Sequence, residues 1–180
     1  MHVYCVVIAG SILWCFPFVR AFARSKRSPL QTDRRARWGV ALQAVGYSIL
    51  WQGSFWLRTP SWWSLAISAV FFLIAIALSR SAAQVLALQL RVDAVVDTRH
   101  QLVTSGPFRF IRHPIYASML CVLLGTGIVI SSLLLSIIAI LVFLIGSEIR
   151  MRIEDRLLAS CFGTQFEAYE QSVPRLIPFF

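Results

Sequence analysis

The stretch IIAILVFLI, residues 137 to 145, decides the fold class of this chain. No polar residue interrupts it, and the run FFLIAIAL at residues 71 to 78 has the same character. A membrane-spanning β-strand would alternate apolar and polar residues over segments of about ten. Because backbone polar groups inside a bilayer must be satisfied within the structure, these non-alternating runs predict helices as the spanning elements.

The composition of the whole chain also indicates a membrane protein. Of its 180 residues 58% are hydrophobic and six are tryptophan, and the mean hydropathy is +0.72. Soluble domains are more polar than this, and a helix needs roughly 20 apolar residues to cross the hydrocarbon core. Five candidate spans cover residues 3 to 19, 38 to 57, 62 to 79, 114 to 130 and 133 to 147. Two serines alone separate the last two spans, which predicts a tight helical hairpin.

Positive charge falls on one side of this predicted topology. The formal net charge is +9, and all 17 basic residues except Arg58 lie at residues 20 to 37, at 80 to 113 or after 147. Five spans place these three segments on the same face. The positive-inside rule then predicts an N-terminus outside and a C-terminal helical tail in the cytoplasm. This placement favours contact with anionic lipid over binding of nucleic acid.

The domain organisation is predicted to be simple. No repeat or flexible linker divides the chain, so residues 1 to 180 form a single multi-pass membrane domain, with three transmembrane helices within residues 1 to 79. Residues 80 to 97 could extend the third helix or lie along the membrane surface. Four cysteines are scattered without metal-ligand spacing, so neither a structural disulfide nor a metal site is expected.

The most informative polar segment is GPFRFIRHPIY, residues 106 to 116. Its Gly-Pro start breaks a helix, so residues 99 to 113 are predicted to be non-helical. Pro114 suits the first position of the fourth helix, and His113 then lies at a helix N-terminus, which favours an anionic group such as a carboxylate. Anchoring at the membrane interface is the alternative, because Arg, His and Tyr are common there.

A charged helix is predicted after the fifth span, followed by a Gly turn and a Pro-rich end. Arg150 and Glu154 lie four residues apart on one face of it, as do Glu148 and Arg152. Ordinary ion pairs at this spacing stabilise a helix by only about 0.2–0.5 kcal/mol, and Arg before Glu is the less favourable order. A ligand with both an acidic and a basic group would explain the arrangement better.

Two separated motifs resemble the isoprenylcysteine carboxyl methyltransferase family of integral-membrane enzymes: HQLVTSGPFRFIRHPIY at residues 100 to 116 and RMRIEDRLLASCFGTQFEAYEQSVPRLIP at 150 to 178. The family pattern has an LVTSGPYR-like segment, an RHPxY box, a hydrophobic hairpin, two acids followed by FG, a Tyr-rich stretch and a VP-x-x-IP end. The RHPxY box alone is shared with phospholipid methyltransferases and sterol-reductase relatives. The resemblance covers residues 98 to 178 and implies a membrane methyltransferase that uses S-adenosylmethionine.

The resemblance also implies a cofactor pocket that faces the cytoplasm and is built by the C-terminal half. Its predicted cofactor-binding residues are His100, Gln101, Leu102, Val103, Phe108, His113, Pro114, Ile115, Tyr116 and Glu154. Phe108 stands where the family usually has Tyr, and Asp155 where the second acid is usually Glu. Arg150 matches the arginine that faces the methyl acceptor, so it is the predicted catalytic residue.

The chemistry of methyl transfer agrees with these residue types. S-adenosylmethionine carries a sulfonium, an ammonium and a carboxylate, so its pocket needs an acid such as Glu154 and donors such as the helix N–H groups beside His113. The transfer is an in-line displacement, and catalysis should come mainly from alignment and exclusion of water. A carboxylate acceptor is already nucleophilic and needs only an arginine such as Arg150 to hold it. An amine or hydroxyl acceptor would need a base.

The leading hypothesis is therefore a methyltransferase acting on the carboxylate of a lipophilic, isoprenylcysteine-like acceptor that enters from the bilayer. The expected partners are this acceptor and membrane lipids. One alternative is a phospholipid amine N-methyltransferase. Another is an NADPH-dependent sterol-type reductase, which would predict more spans, and a third is a non-catalytic membrane protein whose basic motifs serve only as anchors.

Overall fold

The computed structural model describes residues 2–24, 35–53, 59–86 and 102–176. Within these ranges the chain is all-helical and has no strand, which confirms the predicted all-α class for this part of the protein. The α-helices are α1 (His2–Arg24), α2 (Ala36–Ile49), α3 (Trp62–Leu86), α4 (Pro114–Ile130), α5 (Leu133–Phe162) and α6 (Thr164–Ser172), and a short 3-10 helix covers Gly106–Arg109.

Helix α4 and the start of α5 lie at the predicted residues. Helix α4 begins at Pro114, whose fixed φ suits the first helical position, and it ends at Ile130. The side chain of Ser132 then caps α5, because its oxygen accepts a hydrogen bond from the Leu135 N–H at 3.3 Å. Two serines are therefore enough to end one apolar helix and begin the next.

Other helices differ in length from the predicted spans. Helix α3 continues to Leu86, and α2 ends at Ile49, well before residue 57; residues 54–58 lie outside the described ranges. Helix α5 does not stop at residue 147 but runs on to Phe162, since the Glu and Arg residues of the charged segment are good helix formers. Gly163 ends it with a φ of +50°, a conformation that glycine adopts readily.

The outer surface of the helices is apolar. Trp62 is 81% exposed and Leu133 79%, and further large apolar side chains are exposed on α1, α2, α3 and α5. Soluble proteins rarely expose such large contiguous apolar surfaces. Helices α3 and α5 are long and apolar enough to cross a membrane, and shorter apolar helices cover Tyr4–Val19 and Pro114–Ile130. The described residues thus indicate a membrane protein, whereas five spans and their orientation stay predictions.

Glycines set the closest approach between two helices, α2 and α5. A Cβ atom added to Gly146 would lie 2.7 Å from the carbonyl oxygen of Gly39 and 2.9 Å from the Cβ of Leu42. A Cβ added to Gly39 would in turn collide with the Cγ of Arg150. The absence of these two side chains therefore allows α2 to lie directly against the part of α5 that carries Arg150.

We expect the Gly146→Ala variant to be less stable than the wild type, because overpacking at a close helix contact costs typically about 1–3 kcal/mol. The matched control is Gly53→Ala, since the nearest atom to a Cβ there, on Leu135, lies at 3.7 Å. Thermal unfolding of the purified variants in detergent micelles measures the difference. Equal midpoints for Gly146→Ala and Gly53→Ala would show that α2 and α5 do not touch at this glycine.

Candidate active site

The segment before α4 folds into a tight turn that the sequence pattern explains. Gly106 has a φ of +62° and begins the 3-10 helix, which is a departure from the non-helical prediction for residues 99 to 113. Phe108 is buried, and its carbonyl oxygen accepts a hydrogen bond from the Tyr169 hydroxyl at 2.6 Å. Helix α6 therefore holds this turn in place beneath the start of α4.

The C-terminal segment lies against the backbone of Arg112 and His113. The N–H of Arg112 donates to the carbonyl of Pro174 at 2.8 Å, and the N–H of His113 donates to the carbonyl of Arg175 at 3.0 Å. The Arg112 side chain also donates from Nε to the carbonyl of Val173 at 3.0 Å. The N–H of His113 is thus already bonded, and the first-turn N–H groups of α4 are the donors without a partner inside that helix.

The carboxylate of Asp155 joins three segments of the chain. Its Oδ2 accepts from Arg112 Nη1 at 3.0 Å and from Arg175 Nε at 2.9 Å, and its Oδ1 lies 2.9 Å from His113 Nε2. Asp155 is 5% exposed and His113 6%. A buried carboxylate needs such partners, because burying an unpaired charge is very costly.

Glu154, the neighbouring acid, faces the first turn of α4. One carboxylate oxygen accepts a hydrogen bond from the Tyr116 hydroxyl and also lies 3.5 Å from Arg150 Nη2. The other lies 3.5 Å from His113 Nδ1. The guanidinium of Arg150 is 5.2 Å from the centroid of the Tyr116 ring, within the range of a cation–π contact. Acid, phenol and guanidinium thus form one group.

His113 has a carboxylate at each ring nitrogen. Burial opposes protonation of the imidazole, but hydrogen bonds to Asp155 and Glu154 and their negative charges outweigh it, so the pKa of His113 is raised above its ordinary value. The protonated ring can donate to both acids at once, whereas either neutral tautomer donates to only one. In its protonated form the ring therefore links Glu154 to Asp155.

Helix α2 contributes a polar side chain to the same region. Gln43 is 3% exposed; its Nε2 donates to Ser147 Oγ at 2.9 Å, and its Oε1 lies 3.5 Å from Arg150 Nη1. A polar residue on a buried face of an apolar helix is expensive and usually has a role. Gln43 and Ser147 together extend the polar group from α5 to α2.

The structure brings some of the predicted site residues together and places others apart from them. His113, Tyr116, Arg150 and Glu154 lie together as described above. Leu102 packs elsewhere, against the buried cluster of Phe166, Tyr169 and Val173. Of the remaining predicted residues, Val103 and Ile115 are half-buried and Phe108 and Pro114 are buried, whereas His100 and Gln101 fall outside the described residues.

Several polar residues of this region were not among the predicted site residues. Arg112, Asp155, Arg175, Gln43 and Ser147 all contact the group directly or through one partner. A glutamine within an otherwise apolar helix is a sequence signal that could have identified Gln43. The position of Asp155 directly after another acid, Glu154, was a similar signal. No local pattern in the sequence connects Arg175 to Asp155.

Both ion pairs proposed from i,i+4 spacing form on α5. Arg152 Nε lies 2.6 Å from Glu148 Oε1, and this pair is exposed. Arg150 and Glu154 are much less exposed and lie farther apart, at 3.5 Å. Glu148 also pairs with Arg175 at 3.0 Å. The exposed pair is an ordinary helix pair, whereas the half-buried pair of Arg150 and Glu154 is part of the larger polar group.

The raised pKa of His113 predicts a pH-dependent stability. Below about pH 6.5 both the folded and the unfolded states are protonated and the stabilisation is complete; as pH rises through the folded-state pKa it is lost. We therefore expect the free energy of unfolding to fall as the pH rises from about 6.5 to the folded-state pKa, and to level off above it. His113→Gln should remove this part of the slope, as measured by thermal unfolding in micelles across the pH range. Parallel pH profiles for both proteins would contradict the assignment.

Comparisons with known proteins identify the family. The family model described as phospholipid methyltransferase matches residues 63–165, more than half of the chain. The chain is 39% identical over 77 residues to the cobalt-zinc-cadmium resistance protein CzcN of Cupriavidus metallidurans, covering 43% of this chain and 35% of that protein. It is 33% identical over 84 residues to protein-S-isoprenylcysteine O-methyltransferase B of Arabidopsis thaliana, covering 46% and 42%.

A third relative is the protein-S-isoprenylcysteine O-methyltransferase of Schizosaccharomyces pombe, 33% identical over 102 residues and covering 55% of this chain and 43% of that protein. The chain thus spans less than half the length of these curated relatives. The resemblance inferred from the two motifs is confirmed by these matches. The chain belongs to the phospholipid methyltransferase family.

Proposed function

We propose that the chain is an integral-membrane methyltransferase that moves a methyl group from S-adenosylmethionine to the carboxylate of a lipophilic, isoprenylcysteine-like acceptor. Family membership and the names of the relatives from Arabidopsis thaliana and Schizosaccharomyces pombe support the reaction class. The observation that carries the proposal is the group formed by Tyr116, Arg150 and Glu154, in which an acid and a cation lie side by side on a helix. Such a group offers one charge of each sign to a ligand.

The length of α5 supports a site at the cytoplasmic edge of the membrane. Its 30 residues correspond to about 45 Å of helix, whereas the hydrocarbon core is about 30 Å thick. The apolar first half, about 22 Å long, lies within this core, and the second half, with Arg150 and Glu154, extends towards the headgroups. In the proposed five-span topology, residues 98 to 178 form the cofactor-binding half and the acceptor enters from the bilayer.

The donor set fits S-adenosylmethionine, which when bound supplies an electrophilic methyl group on a sulfonium. The carboxylate of Glu154 would attract the positively charged end of this cofactor, and Tyr116 and His113 hold that carboxylate in place. The first-turn N–H groups of α4 and the positive end of its dipole suit the cofactor's carboxylate. Predicted contacts through Leu102, Val103 and Phe108 remain part of the proposal.

Arg150 supports a carboxylate as the acceptor. A guanidinium can hold a carboxylate through two parallel hydrogen bonds, which orients an oxygen that is already nucleophilic. Alignment of this kind is a large part of catalysis in a displacement reaction. The apolar helices around the group would exclude water from the acceptor.

An amine acceptor is less well supported. A phospholipid ammonium must lose a proton before it can attack, so a general base is needed. Among the described residues His113 is the histidine in this group, and its raised pKa and its two carboxylate partners favour the protonated form. A histidine held in this form does not accept a proton readily, which favours the carboxylate.

We expect Glu154→Gln to weaken the binding of S-adenosylmethionine by about tenfold or more, because the loss of a charged hydrogen-bond partner costs about 1.5–3 kcal/mol. The matched control is Glu167→Gln, at an exposed position on α6. Equilibrium binding of the radiolabelled cofactor to purified protein, with NADPH as a second ligand, measures the effect. Equal affinities for Glu154→Gln and the wild type would refute this role, and tighter binding of NADPH would favour a reductase.

We expect Arg150→Ala to reduce methyl transfer to a carboxylate by about a hundredfold, since a misplaced acceptor loses rate on this scale. Cofactor binding should be largely retained. Methyl incorporation into prenylated thiol acids, fatty acids and phosphatidylethanolamine in bilayers measures the effect, with the exposed Arg156→Ala as the control. Loss of cofactor binding in Arg150→Ala would place this arginine at the donor instead, and transfer to phosphatidylethanolamine alone would support the amine alternative.

A further inference from the structure

The buried face of α2 has an unusual composition. Its buried residues are Ala36, Gly39, Gln43 and Gly46, so Gln43 is the single long side chain among small ones. The glycines bring the α2 backbone into contact with α5, as the collision of a Gly39 Cβ with Arg150 Cγ demonstrates. Gln43 therefore lies within reach of the Arg150 guanidinium because its neighbours have almost no side chains.

The orientation of the Gln43 amide is fixed by its two partners. Arg150 has only hydrogen-bond donors, so the amide oxygen must face it, and Ser147 Oγ then accepts from the amide nitrogen at 2.9 Å. One guanidinium nitrogen of Arg150 faces Gln43 Oε1 and the other faces Glu154 Oε1, both at 3.5 Å. The guanidinium is thus held between a neutral acceptor and a charged one.

The side chain of Gln43 is uncharged, and this affects how Arg150 can bind a carboxylate. A glutamate at this position would orient Arg150 equally well, but its charge would compete with any incoming carboxylate. Glu154 shares its charge with His113 and Tyr116 as well as Arg150. A neutral amide thus directs the guanidinium without cancelling the positive charge that an acceptor carboxylate would need.

We infer that Gln43 is a positioning residue for the acceptor: through Arg150 it sets the direction in which the guanidinium receives a carboxylate. The inference rests on the proposed function. Gln43 lies outside residues 63–165, the part of the chain that the family model matches. The N-terminal helices would then contribute to acceptor choice, whereas the matched half would hold the methyl donor.

The test uses the full chain in lipid nanodiscs and a farnesylated thiol acid with its methyl ester. Equilibrium affinities for the acid and the ester give the preference for a carboxylate, and we expect the wild type to prefer the acid. Gln43→Leu should reduce this preference about tenfold, the usual effect of losing a hydrogen bond to a charged group. Gln43→Glu should reduce it as well, by repulsion, and cofactor affinity should change in neither variant.

Two controls separate positioning from a general structural role. Gln52→Leu changes the same residue type at an exposed position just after α2, where the amide donates to the carbonyl of Ser48 in the last turn of α2 at 3.2 Å, and it should leave the preference unchanged. In an Arg150→Met background, Gln43→Leu should have no further effect, because its action passes through Arg150. Should Gln43→Leu not fold, Ser147→Ala removes only the hydroxyl that anchors the amide and should shift the preference in the same direction.

The outcomes distinguish this inference from the proposed function. A wild type without preference for the acid, or a Gln43→Leu variant that behaves like Gln52→Leu, overturns the positioning role. An additive effect in the Arg150→Met background does the same. Loss of the preference in Gln43→Leu together with no methyl transfer by the wild type would support positioning and refute the methyltransferase proposal.

Discussion

Two arginines and a histidine meet at the carboxylate of Asp155, and the geometry of the candidate site depends on this contact. Arg112 and His113 come from the turn before α4, and Arg175 comes from the end of the described chain. Because removal of one partner of a buried ion pair leaves an uncompensated charge, these segments are energetically linked. The arrangement fixes His113, and His113 in turn contacts Glu154. Asp155 therefore helps to order the proposed cofactor site through His113, without having to contact the cofactor itself.

The apolar exterior explains why the polar groups are concentrated in one region. Helices that face lipid cannot carry charges at mid-membrane without a large penalty, so ionic chemistry is restricted to the helix ends and to the inner faces. The beginning of α4 and the second half of α5 provide such a place. The C-terminal segment closes it, because its carbonyl oxygens accept hydrogen bonds from the backbone N–H groups of Arg112 and His113. The cost of placing charge in lipid thus accounts both for the fold and for the location of the candidate site.

Local patterns in the sequence predicted the elements that depend on local chemistry. The bounds of α4, the serine-separated hairpin and the i,i+4 pairs of α5 were all predicted correctly, since proline, serine and helical spacing act within a few residues. The end of α2 was not predicted correctly, because an apolar run does not reveal where a helix stops. The contacts of Arg175 with Asp155 and of Gln43 with Arg150 join residues far apart in sequence. No single-sequence pattern encodes such contacts, although a lone glutamine in an apolar helix was a visible signal.

Helix α5 carries both an apolar segment able to cross the membrane and the residues Arg150 and Glu154, and it has no proline or glycine break between them beyond Gly146. When the apolar segment of such a rigid helix tilts, the segment that carries Arg150 and Glu154 tilts with it. Hydrophobic mismatch between a helix and the surrounding lipid is commonly relieved by tilting. The height and angle at which the guanidinium of Arg150 meets an incoming acceptor would therefore change with the thickness of the bilayer, so lipid composition becomes a physical parameter of the site itself.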